Sequence, residues 1–255
     1  MNASPLRIEA VAQTHVGLVR RANEDSLSAR PEDGLWAVAD GMGGHAHGDW
    51  ASRTLADALD EVELPDDFEK ACQAIADAIH AANAEIWREA SRRGQQMGST
   101  IAALFIRDRR FAVLWVGDSR VYLARGDELY RLTHDHTQVQ EMIDRGLLQP
   151  EEAASHPRGH VLARAVGVSE TLDVDGIVDE IEPGDLFLLC SDGLTGPVGD
   201  DELAGLLSAG EARQTLDRLI ALTLERGAPD NVTAILVRAR ETTLLSLTGL
   251  PGGFS

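Results

Sequence analysis

Two kinds of hydrophobic pattern alternate along this chain. Short runs of consecutive apolar residues lie at 34–39, 100–106, 111–116, 120–124, 128–132, 186–190 and 232–237. Each is the length of a strand, and apolar residues at successive positions are expected where a sheet is covered on both faces. The runs joined by VGDSR and by ARGDE are close enough to predict hairpins, and so sheets that are largely antiparallel. The second pattern recurs every three or four residues. Over 67–93 it takes in Phe68, Cys72, Ile75, Ile79, Ala82, Ile86 and Ala90, behind Asp66 or Asp67 as N-cap, and it predicts a long amphipathic helix. Residues 48–59 and 211–226 repeat that spacing. Helices grouped between runs of antiparallel strands predict an α+β fold with two sheets packed face to face and helices outside.

No internal repeat or low-complexity linker divides the chain, so residues 1–240 are expected to form one domain. From 241 the sequence becomes ETTLLSLTGLPGGFS, and 241–255 is expected to be a tail outside the core.

Composition narrows the partners. A chain of 255 residues that is 44% hydrophobic can bury a sizeable core. The first residues lack the basic and apolar blocks of a secretory leader, and FAVLWV at 111–116 is too short to span a bilayer, so a cytoplasmic protein is expected. Forty-two acidic against 23 basic side chains give a formal charge of −19. That charge repels nucleic acid and anionic membrane, and argues against both as partners. Cys72 and Cys190 form neither a disulfide framework nor a metal knuckle and are expected to be buried thiols.

Some of the carboxylates stand where a solvated surface does not explain them. Asp40 ends an apolar run and opens GMGG, Asp192 does the same before GLTG, Asp118 follows FAVLWVG, and Asp230 precedes NVTAILV. One Asp-Gly is ordinarily a turn. Four such positions suggest a cluster, and clustered carboxylates need cations. Oxygen ligands favour Mg²⁺ or Mn²⁺ over zinc, and the glycine after Asp40 would let a backbone carbonyl join them.

The ordered blocks RRANEDS (20–26), VADGMGG (38–44), MGSTIAAL (97–104), WVGDSRVYL (115–123), LTHDHT (132–137), LARAVG (162–167), LLCSDGLTG (188–196) and APDNVTAIL (228–236) resemble the metal-dependent PP2C-type (PPM) protein serine/threonine phosphatases in their bacterial form. The match runs from about residue 10 to residue 238. It implies a four-layer αββα sandwich, two antiparallel β-sheets flanked by helix pairs, with two Mn²⁺ or Mg²⁺ ions in a cleft at one end. By position, Asp40 resembles the carboxylate bridging both ions and the Gly41 carbonyl a ligand of the second. Asp192 and Asp230 would complete the first ion's shell, and Glu24 and Asp25 resemble the acidic residues that hold metal-bound waters. Asp118 matches a ligand of a third ion. Arg20 resembles the arginine that clamps phosphate, with Arg21 beside it as the alternative. Residues 138–159 correspond to a flap over the cleft.

The implied reaction is in-line attack on phosphorus by a metal-bridging hydroxide, with His45 as candidate acid for the leaving alkoxide. The implied partners are phosphorylated proteins, a serine/threonine kinase or its targets, met by a monomer.

Rival chemistries meet specific obstacles. A cysteine phosphatase built on Cys190 would need an arginine six residues later, where Gly196 stands. The DVDGI segment at 173–177 matches a haloacid-dehalogenase signature, but no apolar strand precedes Asp173. A P-loop lacks its Gly-Lys-Ser/Thr. HAHGD at 45–49 fits the HxHxD opening of metallo-β-lactamase-type zinc hydrolases, with His134, His136, His156 and His160 as further candidates, yet Trp50 occupies the next histidine position. From a different class, a catalytically inactive phosphoprotein-binding domain should have lost Asp40, Asp192 or Asp230.

Overall fold

The computed structural model describes residues 6–43, 47–153, 156–159, 161–208 and 210–242. Among them two antiparallel sheets form. One orders its strands β1 (Leu6–His15), β11 (Val232–Glu241), β10 (Leu186–Cys190), β7 (Arg120–Arg125) and β8 (Glu128–Arg131). The other orders β2 (Asp25–Arg30), β3 (Leu35–Met42), β5 (Ile101–Arg107), β6 (Arg110–Val116) and β9 (Asp175–Glu180), with the short β4 (Gly98–Ser99) paired to the far end of β3.

The consecutive apolar runs follow from burial on two sides. In β3, Trp36 and Val38 face the layer between the sheets, where they meet Phe111, Val113, Phe187 and Ile235. Leu35, Ala37 and Ala39 face outward, under α1 (His47–Glu61) and α2 (Phe68–Arg93). Alternate side chains point to opposite faces, so a strand with both faces covered has no polar face to show. On the other side, α5 (Asp192–Thr195), α6 (Asp200–Leu207) and α7 (Ala212–Glu225) cover β7, β10 and β11 through Leu194, Leu203, Leu207, Leu216 and Leu219. The layers are therefore αββα, as the resemblance implied.

Local chemistry sets the helix limits. Of the two candidate caps, Asp67 serves: its side chain accepts from the Lys70 amide, a bond worth about 1 kcal/mol, and Gly94 closes α2 in the left-handed conformation. The β5–β6 hairpin turns through Asp108 and Arg109, both at positive φ, the requirement of a tight two-residue turn.

Several expectations need correction. VGDSR makes no hairpin: β6 pairs with β5 and β9, and β7 with β10 and β8, so this turn carries the chain from one sheet to the other. ARGDE does join a hairpin, β7 to β8. β3 does not stop at Asp40 but continues to Met42, because β4 pairs with Gly41 and Met42. α1 runs from His47 to Glu61, a little beyond the expected 48–59 at both ends. The edge strands β1, β2 and β9, and the short helices α3 (Gln138–Asp144), α4 (Pro150–Ala153), α5 and α6, were not anticipated. β11 runs through the expected boundary at 240 to Glu241, and residues 243–255 lie outside the described residues.

Candidate metal centre

At one end of the sandwich a cavity of about 520 Å³ is lined by Arg20, Glu24, Asp40, Gly41, Asp118, Asp192 and Asp230, among others. Residues separated by up to 210 positions meet there because strands from both sheets end at this rim. Asp25 lies behind the wall, paired across β2 and β3 with Asp40 and buried.

Each carboxylate is held by its backbone neighbours. The Asp40 amide donates to Thr100 Oγ1 at 3.0 Å, the Thr100 amide donates to the Asp40 carbonyl at 2.8 Å, and Ser99 Oγ donates to the same carbonyl at 2.9 Å. Thr100 Oγ1 also lies 2.6 Å from Ser119 Oγ, next to Asp118. The crossover turn that brings Asp118 out of β6 is thereby tied to β3. Ser191, immediately before Asp192, accepts from the Thr233 amide at 3.0 Å and donates to Asp25 Oδ2 at 2.8 Å. Asn231, next to Asp230, accepts from the Glu24 amide and donates to the carbonyls of Val16 and Ala22, each at 2.8 to 2.9 Å. That single amide holds the 16–24 loop, with Arg20 and Glu24 on it, against the start of β11.

Gly41 answers to a close approach. A Cβ there would lie 2.1 Å from the Gly48 carbonyl oxygen and 2.6 Å from that of Glu24, so the first turn of α1 and the 24 loop leave room only for glycine. Gly48 in the first turn of α1 packs in turn on the backbone of Gly41, where a Cβ would lie 2.8 Å from the Gly41 carbonyl.

The electrostatics are those of several carboxylates buried close together. Burial, then the charge of Asp192, pushes Asp118 up to about 7. Asp25 is also raised to about 7, by burial first and then by the charges of Asp192 and Asp230 acting against its hydrogen bonds. Asp40 is raised well above the ordinary range by burial, then by Asp25, Asp192 and Asp118. Asp25 Oδ1 is buried and finds no hydrogen-bond partner, which is costly for a polar atom out of water. Among the described residues no three His, Cys, Asp or Glu side chains form a ready-made metal cage. Like charges ring the cavity instead of closing on one point. An all-oxygen set of this kind, with an orphaned buried carboxylate oxygen and a backbone carbonyl at Gly41, fits hard divalent cations.

Arg20, and not Arg21, lines the cavity; its Nη2 donates to Asp230 Oδ2 at 2.7 Å. A second cavity of about 500 Å³ shares Asp118 and Asp192 and lies under residues of the 138–159 segment, among them Val139, Gln140, Ile143, Pro150 and Gly159. His45 and its neighbours Gly44 and Ala46 lie outside the described residues.

Among the described residues, those of the rival chemistries are dispersed, and His160 lies outside the described residues. Asp49 pairs with Arg53 one turn along α1 at 2.7 Å. His134 is bonded to Asp144 and His136 to Asp175. Asp175 of the DVDGI segment sits on an edge strand, engaged by His136 and Arg164, and Asp173 offers its carbonyl to Arg164. Cys190 is fully buried, and that burial pushes its thiol up to about 12, the opposite of what a nucleophilic thiolate needs. Cys72 is only half-buried.

Thr100, Ser191 and Asn231 are working parts that the sequence did not single out. Their signal was there, since each belongs to a quoted block, but a hydroxyl or amide one residue from an aspartate has no periodicity to mark it.

An αββα sandwich whose strand ends gather four aspartates and an arginine around one cavity, with a fifth aspartate buried behind them, is the architecture of carboxylate-based metal-dependent phosphatases, and comparisons with known proteins agree. The family model of protein phosphatase 2C matches residues 9–142. The chain is 39% identical over 91% of its length to the serine/threonine protein phosphatase PstP of Mycobacterium tuberculosis, and spans only 45% of that relative's length. It superposes at TM-score 0.84 and 41% identity on PppA, described as a key regulatory component of T6SS in Pseudomonas aeruginosa, covering 91% of this chain and 97% of that one. It superposes at TM-score 0.81 and 36% identity on the catalytic domain of PstP in complex with two manganese ions, covering 93% of this chain and all of that one. The chain belongs to the protein phosphatase 2C family.

Proposed function

We propose that the chain is an active serine/threonine protein phosphatase that uses Mn²⁺ or Mg²⁺. The observation that carries this reading is the meeting of Asp40, Asp118, Asp192 and Asp230 with the Gly41 carbonyl around one cavity that has Arg20 at its mouth. An inactive binding domain would have no use for that concentration of carboxylates.

Asp40, Gly41, Asp192 and Asp230 are the residues assigned to two core cations, Asp118 to a third, and Glu24 and Asp25 to the solvent around them. When bound, the cations supply Lewis acidity and charge neutralisation. The chain's own side chains do the rest. Arg20 offers a planar fork of donors to two phosphoryl oxygens and fixes the phosphorus in the cleft. Thr100, Ser191 and Asn231 hold the carboxylates and the Arg20 loop in place before substrate arrives, so that little reorganisation is left for the reaction. His45 is assigned to protonate the departing serine or threonine oxygen.

Phosphorylated proteins are the substrate class, with a serine/threonine kinase or its targets as the physiological partners of a monomeric catalytic domain over residues 1–240. A cytoplasmic setting accords with the reduced cysteines and with the finding that, among the described residues, no helix is long and apolar enough to cross a membrane. The test is hydrolysis of p-nitrophenyl phosphate and of a phosphothreonine peptide with and without Mn²⁺, beside Asp192→Ala. Activity that survives chelation, or that Asp192→Ala leaves unchanged, would reject both the reading and the assignment. Reactivation by zinc alone would favour the imidazole-based alternative.

A further inference from the structure

A third opening, of about 610 Å³, joins the catalytic cavity through three residues that line both, Arg20, Asp192 and Asp230, shares Asp192 and Gly196 with the cavity under the 138–159 segment, and runs past Gly193, Pro197 and Pro229 to Arg226. Its chemistry differs from that of the metal centre. Pro197 and Pro229 have no backbone N–H to offer. Gly193 adds no side chain, and none could be fitted, since a Cβ would stand 1.8 Å from the Asn231 carbonyl oxygen. Arg226 is not free to take an anion: both its terminal nitrogens are bonded to Glu202, at 2.6 and 2.7 Å, and one also to the Pro197 carbonyl. Beyond the residues shared with the catalytic cavity, the lining is two glycines, two prolines and Arg226, whose charge Glu202 offsets.

An exposed apolar pair stands beside it. Leu18 and Val19 are 63% and 68% exposed, and they precede Arg20 directly. Their loop is pressed onto the groove's wall: Gly17 turns at φ +79° where a Cβ would lie 2.2 Å from the Asp230 carbonyl oxygen, and the Leu18 amide donates to the Ala228 carbonyl at 3.0 Å, one residue before Pro229. On a surface whose formal charge is −19, two consecutive exposed aliphatic residues fixed beside a phosphate clamp are not accounted for by core packing.

We propose that this groove, with Leu18 and Val19 as its lip, is a substrate subsite: it seats an aliphatic or aromatic side chain of the phosphoprotein close in sequence to the phosphorylated residue. The inference rests on the phosphatase reading above. The occupant follows from continuity, because whatever chain places its phosphate against Arg20 must leave the cavity past that residue. It follows also from the lining beyond Arg20, where glycine, proline and the Glu202-held Arg226 offer little to attract a charged neighbour.

The test uses the full chain with Mn²⁺ and two kinds of substrate. p-Nitrophenyl phosphate has no flanking residue and reports the phosphatase reading alone. Phosphothreonine peptides, with glycine on both sides and one leucine moved through the neighbouring positions, report the subsite. The expected result is one register at which leucine raises kcat/KM roughly tenfold over the all-glycine peptide. In Leu18→Ser/Val19→Ser, and more weakly in each single variant, that preference falls to about twofold or less while p-nitrophenyl phosphate is cleaved at the wild-type rate. A flat peptide panel in the wild type, or a leucine preference that survives the double substitution, would overturn the subsite with the phosphatase intact. A preference lost only in step with p-nitrophenyl phosphate activity would overturn it too, because the lip would then be acting on Arg20. No p-nitrophenyl phosphate hydrolysis by the wild type would remove the phosphatase reading and the subsite with it.

Discussion

Arg20 Nη2 donates a 2.7 Å hydrogen bond to Asp230 Oδ2, so the residue assigned to phosphate and a carboxylate assigned to the cation hold each other across 210 positions of sequence. Asp230 raises the pKa of Arg20 through that bond, with smaller contributions from the charges of Glu24 and Asp40. Both side chains are partly exposed, so the pair itself adds little stability. Its consequence is competition: a cation that takes Asp230 weakens the grip on the guanidinium and frees its donors.

Arg20→Ala should therefore raise the KM for a phosphothreonine peptide by roughly 10- to 100-fold, the cost of a lost charge-assisted pair of hydrogen bonds. Mn²⁺ binding, followed by calorimetry, should stay as tight as in the wild type or become tighter. Arg20→Lys should recover only part of the KM, since an ammonium lacks the fork. Arg21→Ala should change kinetics by about twofold at most, as an exposed position outside the cavity. The assignment fails if Arg21→Ala is the damaging change.

Asn231 gives a prediction about stability. Its amide makes three hydrogen bonds, to the Glu24 amide and the Val16 and Ala22 carbonyls. Asn231→Ala leaves those backbone groups without partners and should cost about 2–4 kcal/mol in urea unfolding. Asn231→Asp should not restore it, because a carboxylate cannot donate to the two carbonyls and adds a negative charge beside Asp230. A near-neutral Asn231→Asp would mean that the 16–24 loop is held by something else.

How much of this was legible in the sequence depends on what each residue faces. β5, β6 and β10 were read nearly to their ends because both their faces are buried, as Leu186–Cys190 shows along its whole length. β1, β2 and β9 are sheet edges, where Ile8 faces the core between Arg7 and Glu9 and DGIVDE is mostly exposed. Such strands are stabilised by one neighbour and one face, and short mixed sequences carry little of that signal. The VGDSR turn misled because loop length alone does not say whether the next strand returns to the same sheet or crosses to the facing one. The aspartates were visible because an acid at the end of an apolar run is conspicuous. Thr100 and Asn231 act through backbone atoms of residues far away in sequence, and only the fold discloses those partners.

The leaving-group proton can be tested separately from the metals. p-Nitrophenolate departs without needing a proton, whereas a threonine alkoxide does not. If His45 is the acid, His45→Gln should lower kcat for the phosphothreonine peptide by on the order of 10²-fold and leave p-nitrophenyl phosphate turnover nearly unchanged. Mn²⁺ affinity should also be unaltered. Equal losses on both substrates would assign His45 to the metal environment and not to proton transfer.

His136 should give the acid limb of the stability profile a specific cause. Its Nδ1 accepts the Gly117 amide at 3.1 Å, which places the ring proton on Nε2, 3.1 Å from Asp175 Oδ2, while the Trp115 ring stacks over it. Burial first, then the charge of Arg164, lowers its pKa from the ordinary 6.5, with Asp175 opposing. A base whose pKa is lower in the folded state contributes its full stability above the unfolded value. That contribution is lost as the pH falls through 6.5 toward the folded value, because the unfolded chain takes up the proton first. The protonated ring would also meet the Gly117 N–H donor to donor, beside the turn that carries Asp118. Thermal midpoints followed from about pH 7.5 down to about pH 5 should therefore fall more steeply in the wild type than in His136→Gln. The variant should be the less stable protein at the upper end, having lost a buried, bonded ring. Parallel slopes would show that other groups carry the acid limb and that the bond from Gly117 to His136 does not depend on the ring staying neutral.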